Sequence, residues 1–579
     1  MFIKTTRAGG YEYIKLVESY RKEGGSTGHC VLYNFGRADN LRNEQSFLRM
    51  VKRLCEVGNI PLPNDDGRIA DEEPLSDCSE AVFYNYGYLA YRRLWNDLYI
   101  QGCLEEVQHC SKISYSLPDV VFLMALQHLL EPRSKLSTHA HQERYLNIDK
   151  VSLQHMYRAL DKLADSKGEI ESSLFDYNYT RAGRKVDVVF YDVTTVSFES
   201  VVADELRNFG FSKECKFNEV QVVMGMIIDS SGFPVGYELF PGNTFDGKTM
   251  VKALENIKKR FGINRVIIVG DRGINSKGNL ALIKEAGYGY IVASKIRQMG
   301  EAMQKKILRQ DDFLPLGGTA AEAGFRYKTM EYDNIFTDED GKKHVLQENL
   351  LITYSPKRAN KDASDRARLI AKAEKLLQDP QKITAANKRG GKKYIDRKDP
   401  KKSETWTLAT AKIEKDAQFD GYYGLQTSER ELSAEETIEA HSLLWKIEES
   451  FRIMKTTLEV QPVFHWNERR IRGHFVVCFL AFMMERCMES LLAGCFKPGG
   501  DTRDKPSPDK IREALSSMQV AAVTTGGQDL FIKAKPLPLA KTIFKMLKLP
   551  IPDNISSKED LNALLFIESR RECAQMSLF

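Results

Sequence analysis

Between residues 186 and 293 short apolar runs alternate with turn residues and helical stretches, and this rhythm restricts the chain to a sheet covered by helices. Val188-Val189-Phe190-Tyr191 is continuously apolar, the pattern of a strand buried on both faces. Residues 220–228 and 235–240 are two more strand-like runs, and Asp229-Ser230-Ser231-Gly232 between them is turn chemistry. Together they predict an antiparallel hairpin. An amphipathic helix over 248–261 with Asp246 near its start, a strand over 266–269, a helix over 280–286 and a strand over 288–293 complete the set. The order β-β-β-α-β-α-β predicts an α/β domain, a mixed sheet flanked by helices.

Two of the predicted strands deliver a carboxylate. Asp192 ends the first apolar run, and Asp271 follows Val266-Ile267-Ile268-Val269-Gly270. An acid at the mouth of a buried strand is costly unless its charge is used. A third acid, Glu448, lies on a predicted helix over 434–458, with Arg452 and Lys455 four and seven residues on, along one helix face. Taken singly, each acid reads as a turn cap or a surface pair. Taken together in this element order, which is that of a ribonuclease-H-like domain, the three read as one metal centre. Phosphodiester cleavage needs an activated water, a stabilised leaving oxygen and in-line geometry. Two divalent ions about 3.5–4 Å apart supply these when carboxylates hold them. Arg452, Lys455 and Arg272 are then candidate phosphate contacts, although spacing alone fits a solvated salt-bridge stripe as well. Glu449 points about 100° away from Glu448 and reads as its solvent-side neighbour.

The 579-residue chain has room for several domains, and its 42% hydrophobic and 28% charged residues are those of a soluble globular protein. The opening reads as a β-hairpin over 13–35 followed by a helix over 43–55, and residues 61–74 form an acidic, Pro-containing linker. Residues 82–176 carry a helical pattern, with Ser152 as a candidate N-cap. From 295 to 419 the rhythm is lost over a stretch too long for a loop. It reads as an inserted β-rich domain, with strands near 350–354 and 405–411 and a polar helix over 363–378. A strand over 422–426 resumes the core, and a hydrophobic helix over 475–492 follows. The remainder reads as helical, with a basic amphipathic piece over 533–548. The division is therefore 1–75 (hairpin and helix, candidate DNA-end binding), 76–182 (helical), 183–296 (first part of the core), 297–419 (insertion), 420–492 (second part of the core) and 493–579 (helical, candidate oligomerisation).

A net charge of +5 does not by itself announce nucleic acid. Its distribution says more: Lys382, Lys388, Arg389, Lys392, Lys393, Arg397, Lys398, Lys401 and Lys402 face only Asp396 and Asp399 in one stretch. Lys388, Arg389, Lys392 and Lys393 are candidate DNA contacts there. Arg469, Arg470, Arg472 and His474 read either as phosphate-tracking groups or as a solvated helix start. The longest apolar run, 475–484, is about half of the roughly 20 residues a spanning helix needs, and no signal-type segment follows Lys4 to Arg7. A cytoplasmic protein without membrane partners is expected. The ten cysteines contain no CxxC pair; Cys103, His109 and Cys110 match no common zinc spacing, and reduced thiols are the simpler reading. Residues 242–249 match the Walker A pattern, but Asp246 would put a negative charge among phosphate-cradling amides. The strand before them is also the third of a meander, so no nucleotide cofactor is expected.

These segments resemble a DDE transposase of a bacterial or archaeal insertion sequence, in the IS-four superfamily. The resemblance rests on Tyr191-Asp192-Val193-Thr194-Thr195, on Gly242-Asn243-Thr244 with Asp246, and on Val269-Gly270-Asp271-Arg272-Gly273. It rests also on Trp445-Lys446-Ile447-Glu448-Glu449-Ser450-Phe451-Arg452 with Lys455, and residues 13–37 resemble the start of one branch of that superfamily. It implies a ribonuclease-H-like core interrupted by a β-rich insertion, with helical N-terminal and C-terminal regions. Asp192, Asp271 and Glu448 would be the catalytic and metal-binding triad for two Mg²⁺ ions, with Mn²⁺ as a substitute. The implied reaction is hydrolysis at the element ends and transfer of the 3′-hydroxyl into target DNA. The implied partners are double-stranded DNA with terminal inverted repeats, target DNA and a second copy of the chain, in the nucleoid of a prokaryotic cell. The chain departs from the superfamily signature Y-x2-R-x3-E-x6-K at two positions, where His441 and Leu444 stand for Tyr and Arg. In relatives those two help hold the DNA end during a hairpin step, so the resemblance implies the metal chemistry more firmly than that step. A non-transposing nuclease and a retired transposase acting as a DNA-binding protein are the alternatives.

Overall fold

A computed structural model describes residues 2–21, 27–41, 51, 53, 81–184, 186–210, 218–244, 249, 252, 255, 259–262, 266–316, 324–337, 341, 343–378, 383, 390–397, 406–495, 506–525 and 528–562. The linker over 61–74, Asp246, Lys382, Lys388, Arg389, Lys398, Lys401 and Lys402 lie outside them, as do most of the predicted helices over 43–55 and 248–261. The chain forms two compact units, one from Met1–Arg184, Val196–Ser200 and Phe451–Phe579, the other from Lys185–Thr195 and Val201–Ser450.

The first unit begins with an antiparallel sheet of β1 (Phe2–Ala8), β2 (Tyr11–Arg21) and β3 (Thr27–Arg37). The predicted hairpin is β2–β3, and β1 is added ahead of it. Gly9 and Gly10, at φ +59° and +79°, close the two-residue loop between Ala8 and its partner Tyr11. That loop needs positive φ at both positions, which glycine adopts without strain. A helical layer follows. Its Leu117–Leu130 helix starts at Ser116, whose hydroxyl accepts the Asp119 amide at 3.3 Å, and 13 of its 14 residues are buried. The Leu153–Phe175 helix is capped by Ser152 as predicted, and the Glu468–Cys495 helix packs on it. A Cβ at Gly473 would lie 1.9 Å from the Leu160 carbonyl, so only glycine permits this approach.

The C-terminal region corrects the sequence reading. In place of helix throughout, the described residues hold helices Pro508–Ser516 and Pro538–Met546 with strands β16 (Gln519–Thr525), β17 (Gln528–Lys533) and β18 (Ile555–Ser557). These form a sheet ordered β18-β17-β16-β4, where β4 is Val82–Asn85, inside the stretch read as helical. The signal was present: Val520, Val523, Thr524 and Thr525 are β-branched and precede Gly526-Gly527. Among the described residues no helix is long and apolar enough to cross a membrane.

The second unit is built on one nine-stranded mixed sheet ordered β10-β11-β12-β15-β9-β8-β5-β6-β7. Its strands are β5 (Val188–Ser197), β6 (Gln221–Asp229), β7 (Pro234–Pro241), β8 (Ile267–Gly270), β9 (Gly289–Ala293), β10 (Leu314–Pro315), β11 (Arg326–Thr337), β12 (Lys343–Tyr354) and β15 (Tyr422–Thr427). β5, β8 and β9 run parallel, while β6–β7 and β9–β15 are antiparallel. Every residue of β6 and β9 is buried, as their apolar runs require. The insertion read as a separate domain instead extends this sheet, because β12 pairs with β15 over 349–354 and with β11 over its whole length. Leu350, Leu351 and Ile352 are buried, so β12 has neighbours on both edges. Among the described residues only β13 (Ile395–Arg397) and β14 (Trp406–Leu408) stand apart as a pair, packing with the Pro356–Leu377 helix around Ala373 and Tyr394.

Candidate active site

Asp192 lies inside β5 and not at its end, since Val193-Thr194-Thr195-Val196 carries the β-branched run onward. β5 pairs with β8 in parallel register up to Phe190↔Val269. Asp192 and Asp271 each stand two residues beyond that last pair, Asp192 still within β5 and Asp271 one residue past the end of β8. Each carboxylate is oriented by its own chain: Asp192 Oδ1 accepts the Val193 amide at 2.7 Å, and Asp271 Oδ1 accepts the Gly273 amide at 2.7 Å. The Asp271 loop is held from behind. Buried Asn275 donates through Nδ2 to Ala293 O and Gln426 Oε1, both at 2.8 Å, and Lys295 Nζ donates to Asn275 O at 2.8 Å. Gln426 Nε2 in turn donates to Glu348 Oε2 at 2.9 Å, and the Tyr290 hydroxyl donates to the same carboxyl. Burial pushes the Glu348 carboxyl above its ordinary range, and these donors satisfy it.

Glu448 sits on a shorter helix than the sequence suggests. The predicted 434–458 stretch divides into Ala434–Ser442, Trp445–Arg452 and a π-helical turn, Ile453–Thr457. Ile447 and Ser450 face inward, and Lys446 Nζ donates to Ser230 O at 2.6 Å, tying this helix to the β6–β7 turn. Glu448 is exposed, whereas Glu449, read as the solvent-side neighbour, is the more buried of the two. Arg452 and Lys455 belong to the first unit, with Lys455 inside the π-helical turn.

A polar aromatic cluster surrounds Asp271. The Arg358 guanidinium lies over the Tyr423 ring at 4.3 Å and that of Arg272 at 5.4 Å, and the Tyr423 and His441 rings are 5.6 Å apart. Burial holds His441 down at about 4, against the pull of nearby Asp271, with Arg272 and Arg358 adding to the depression. Burial likewise raises the Tyr423 hydroxyl, with Asp271 pushing the same way. Arg358 and Tyr423 were invisible in the sequence, because they arrive from the insertion helix and from β15 with no shared spacing.

The other basic candidates fare differently. Lys388 and Arg389 lie outside the described residues, Lys392 is half-buried, and Lys393 pairs with Asp416. Arg469 Nε donates to Asp165 at 2.8 Å, Arg470 lies 3.5 Å from Asp161, Arg472 Nε donates to Glu468 at 2.8 Å, and His474 is buried. Each arginine thus has an acidic partner, and burial removes the phosphate-tracking reading for His474.

Three carboxylates, with Asp271 and Glu448 exposed and Asp192 half-buried, are hard oxygen donors. Such donors are the ligand type that a small divalent cation accepts while keeping several of its waters. Among the described residues no three carboxylates bring their oxygens all within 4.8 Å of one another.

Residues 184–484 match the transposase DDE domain family, and residues 2–61 match the N-terminal domain of IS1634-family transposases. Among solved structures the chain is similar to a piggyBac transposase synaptic complex with hairpin DNA, at 8% identity and a TM-score of 0.33, over 76% of this chain and 82% of that one. It is also similar to a Mos1 transposase paired-end complex with left transposon end, at 14% identity and a TM-score of 0.14, over 31% of this chain and 60% of that one. A search of curated proteins finds no match.

Proposed function

The chain belongs to the transposase DDE domain family, whose chemistry is phosphoryl transfer, and from that premise we propose that it cuts and rejoins DNA at the ends of its own insertion sequence. The observation that carries the reading is that Asp192 and Asp271 each stand two residues beyond Phe190↔Val269, the last pair of the parallel β5–β8 register. The strand order β7-β6-β5-β8-β9 supports a ribonuclease-H-like core. The match over 2–61 supports a place in the IS1634 branch, near the IS-four superfamily. Asp192, Asp271 and Glu448 are assigned as the ligands of two Mg²⁺ ions, with Mn²⁺ as a substitute. Bound there, the ions would activate the attacking water and stabilise the leaving oxygen.

The protein's own share is positioning. The Val193 and Gly273 amides fix one oxygen of each Asp, so the remaining lone pairs keep a constant direction. The Asn275 network keeps the Asp271 loop from drifting, since an ångström of misplacement is enough to cost about 10²-fold in rate. Arg272 and Arg358 place two fixed positive charges around Tyr423, beside the acid. They would hold the phosphate of a DNA end, and this pair stands in for the signature Tyr and Arg that His441 and Leu444 replace. Attack of water breaks the P–O3′ bond and leaves a 3′-hydroxyl. That hydroxyl then attacks a target phosphodiester, one P–O bond forming as another breaks. Two ends must meet, so a homodimer on double-stranded DNA is the expected working form, with the N-terminal sheet a candidate for reading the inverted repeats.

The test is a cleavage and joining assay with the full chain, Mg²⁺, a target plasmid and DNA ends carrying the repeats that flank the gene. Nicks at those ends and joined products are expected, and scrambled ends should give neither. Equal cutting of both without joining would replace this reading with a nuclease. Binding without cutting would replace it with a retired transposase.

A further inference from the structure

We propose that His128, His474 and Cys478 form a second, structural metal site in the first unit, suited to zinc and separate from the acidic centre. His474 and Cys478 are four residues apart on the Glu468–Cys495 helix and so share a face. His128 comes from the Leu117–Leu130 helix. All three are buried, at 3%, 6% and 0% exposure, and their ligand atoms lie within 4.8 Å of one another, the one such trio among the described residues. Cys478 Sγ is 3.8 Å from His128 Nε2, and 3.5 and 4.0 Å from the two ring nitrogens of His474. Tetrahedral zinc, with Zn–S ~2.3 Å and Zn–N ~2.0 Å, sets its donors roughly 3.5 Å apart. Thiolate with imidazole is also the donor chemistry that prefers such an ion to Mg²⁺.

Both rings are held as metal-bound histidines are held, by carbonyls behind them. The Leu458 carbonyl lies 2.8 Å from His128 Nδ1, which must donate to it, so Nε2 turns its lone pair toward the thiol. The Val460 carbonyl lies 3.3 Å from His474 Nε2 and can take that proton, leaving Nδ1 as the donor. One short segment therefore lies behind both rings.

The competing explanation is a hydrogen-bonded polar cluster centred on Lys135, whose Nζ lies 3.2 Å from His128 Nε2. The lysine sharpens the proposal. Lone pairs gathered round an ammonium will bind a divalent cation in its place, the Cys478 thiol giving its proton to solvent, provided that the ammonium can leave. A cavity of about 490 Å³, lined by Lys135, His128, His474, His465, Tyr157 and Gln461, adjoins the cluster and gives it room. The fourth position faces that cavity, where His465, its ring 5.4 Å from that of His474, or a water completes the set. The bound ion would clamp two helices and the Leu458–Val460 segment.

The experiment uses the untagged full-length chain, stripped with a chelator and titrated with Co²⁺. One ion per chain is expected, with the visible bands of tetrahedral cobalt and a near-ultraviolet thiolate-to-cobalt band. Zn²⁺ should bleach both, and excess Mg²⁺ should bleach neither. Cys478→Ser should lose the ultraviolet band while Cys103→Ser and Cys487→Ser keep it. Lys135→Met, which removes a competing cation without touching a ligand, should tighten binding by at least on the order of tenfold. A wild-type titration without the thiolate band, or a band undiminished in folded Cys478→Ser, overturns the site. Should Cys478→Ser not fold, Lys135→Met decides: unchanged or weaker cobalt binding overturns the proposal.

Discussion

Two sets of ionisable groups, one in each unit, meet opposite surroundings. The second unit leaves Asp271, Arg272 and Glu448 exposed, on a loop and a helix at the sheet. The first seals Glu485, Glu489, Arg486 and Lys135 into helix packing, each under 9% exposed. A hydrated carboxylate can exchange water for a cation or a phosphate contact, and it contributes little to stability. A buried one has surrendered its water, so the fold depends on its partners. On the proposed reading, the difference separates groups that would meet a substrate from groups that hold the protein together.

The largest effects should fall on chemistry alone. Asp192→Ala, Asp271→Ala and Glu448→Ala should each cut strand cleavage at least on the order of a thousandfold, the scale of losing several kcal/mol of charge stabilisation. Melting temperatures and DNA-end binding should stay near those of the parent chain. A variant that unfolds as it loses cleavage would break the comparison.

Next comes a stability effect in the first unit. Burial, with Glu489 nearby, pushes the Glu485 carboxyl up to about 8 from 4.5, and the Tyr91 hydroxyl donates to it at 2.7 Å. The folded chain therefore keeps a proton that the unfolded chain releases at lower pH. That stabilising share is whole below pH 4.5 and is lost as pH rises through about 8. Thermal melts between pH 5 and 8 should show a decline, and Glu485→Gln should flatten it. A Glu485→Gln profile as steep as the parent's would assign the decline elsewhere.

A smaller effect tests the cluster beside Asp271. Arg358→Ala should weaken binding to repeat-bearing and scrambled DNA alike and lower the salt slope by about 1, visible in binding isotherms at several salt concentrations. Loss of discrimination between the two DNAs would make Arg358 a base reader instead. The smallest effect belongs to Arg469, whose exposed pair with Asp165 predicts less than about 1 kcal/mol on Arg469→Ala in urea melts.

Local pattern made the central strands readable. The apolar runs at Val188 and Val222, the turn at Asp229 and the acid after Gly270 are signals of neighbouring residues. Asp271 and Glu448 stood out as candidates because one follows a buried strand and the spacing of the other predicts a helix face shared with two cations, a face that the π-helical turn at Ile453–Thr457 interrupts. What escaped depended on distant partners. β12 joins the core sheet through β15, some seventy residues away, and nothing near Leu350 says so. Arg358 and Tyr423 meet over a similar gap. Val520 to Thr525 carried a strand signal that the surrounding helix formers obscured. Asp192 looked like a strand end because the apolar run stops there, whereas β-branched residues carry the backbone on.

The first unit's chain path also sets a timetable for synthesis. Its opening part ends at Arg184 and its closing part begins at Phe451, and of the 266 residues between them (185–450) this unit takes only Val196–Ser200. At about 5–20 residues per second the ribosome needs roughly ten to fifty seconds to cross that stretch. Through that interval the Leu117–Leu130 helix, apolar on nearly every side, waits for the Glu468–Cys495 helix that will cover it. The nascent chain is therefore most vulnerable to sticking to its neighbours at this helix, and slower translation would lengthen that exposure.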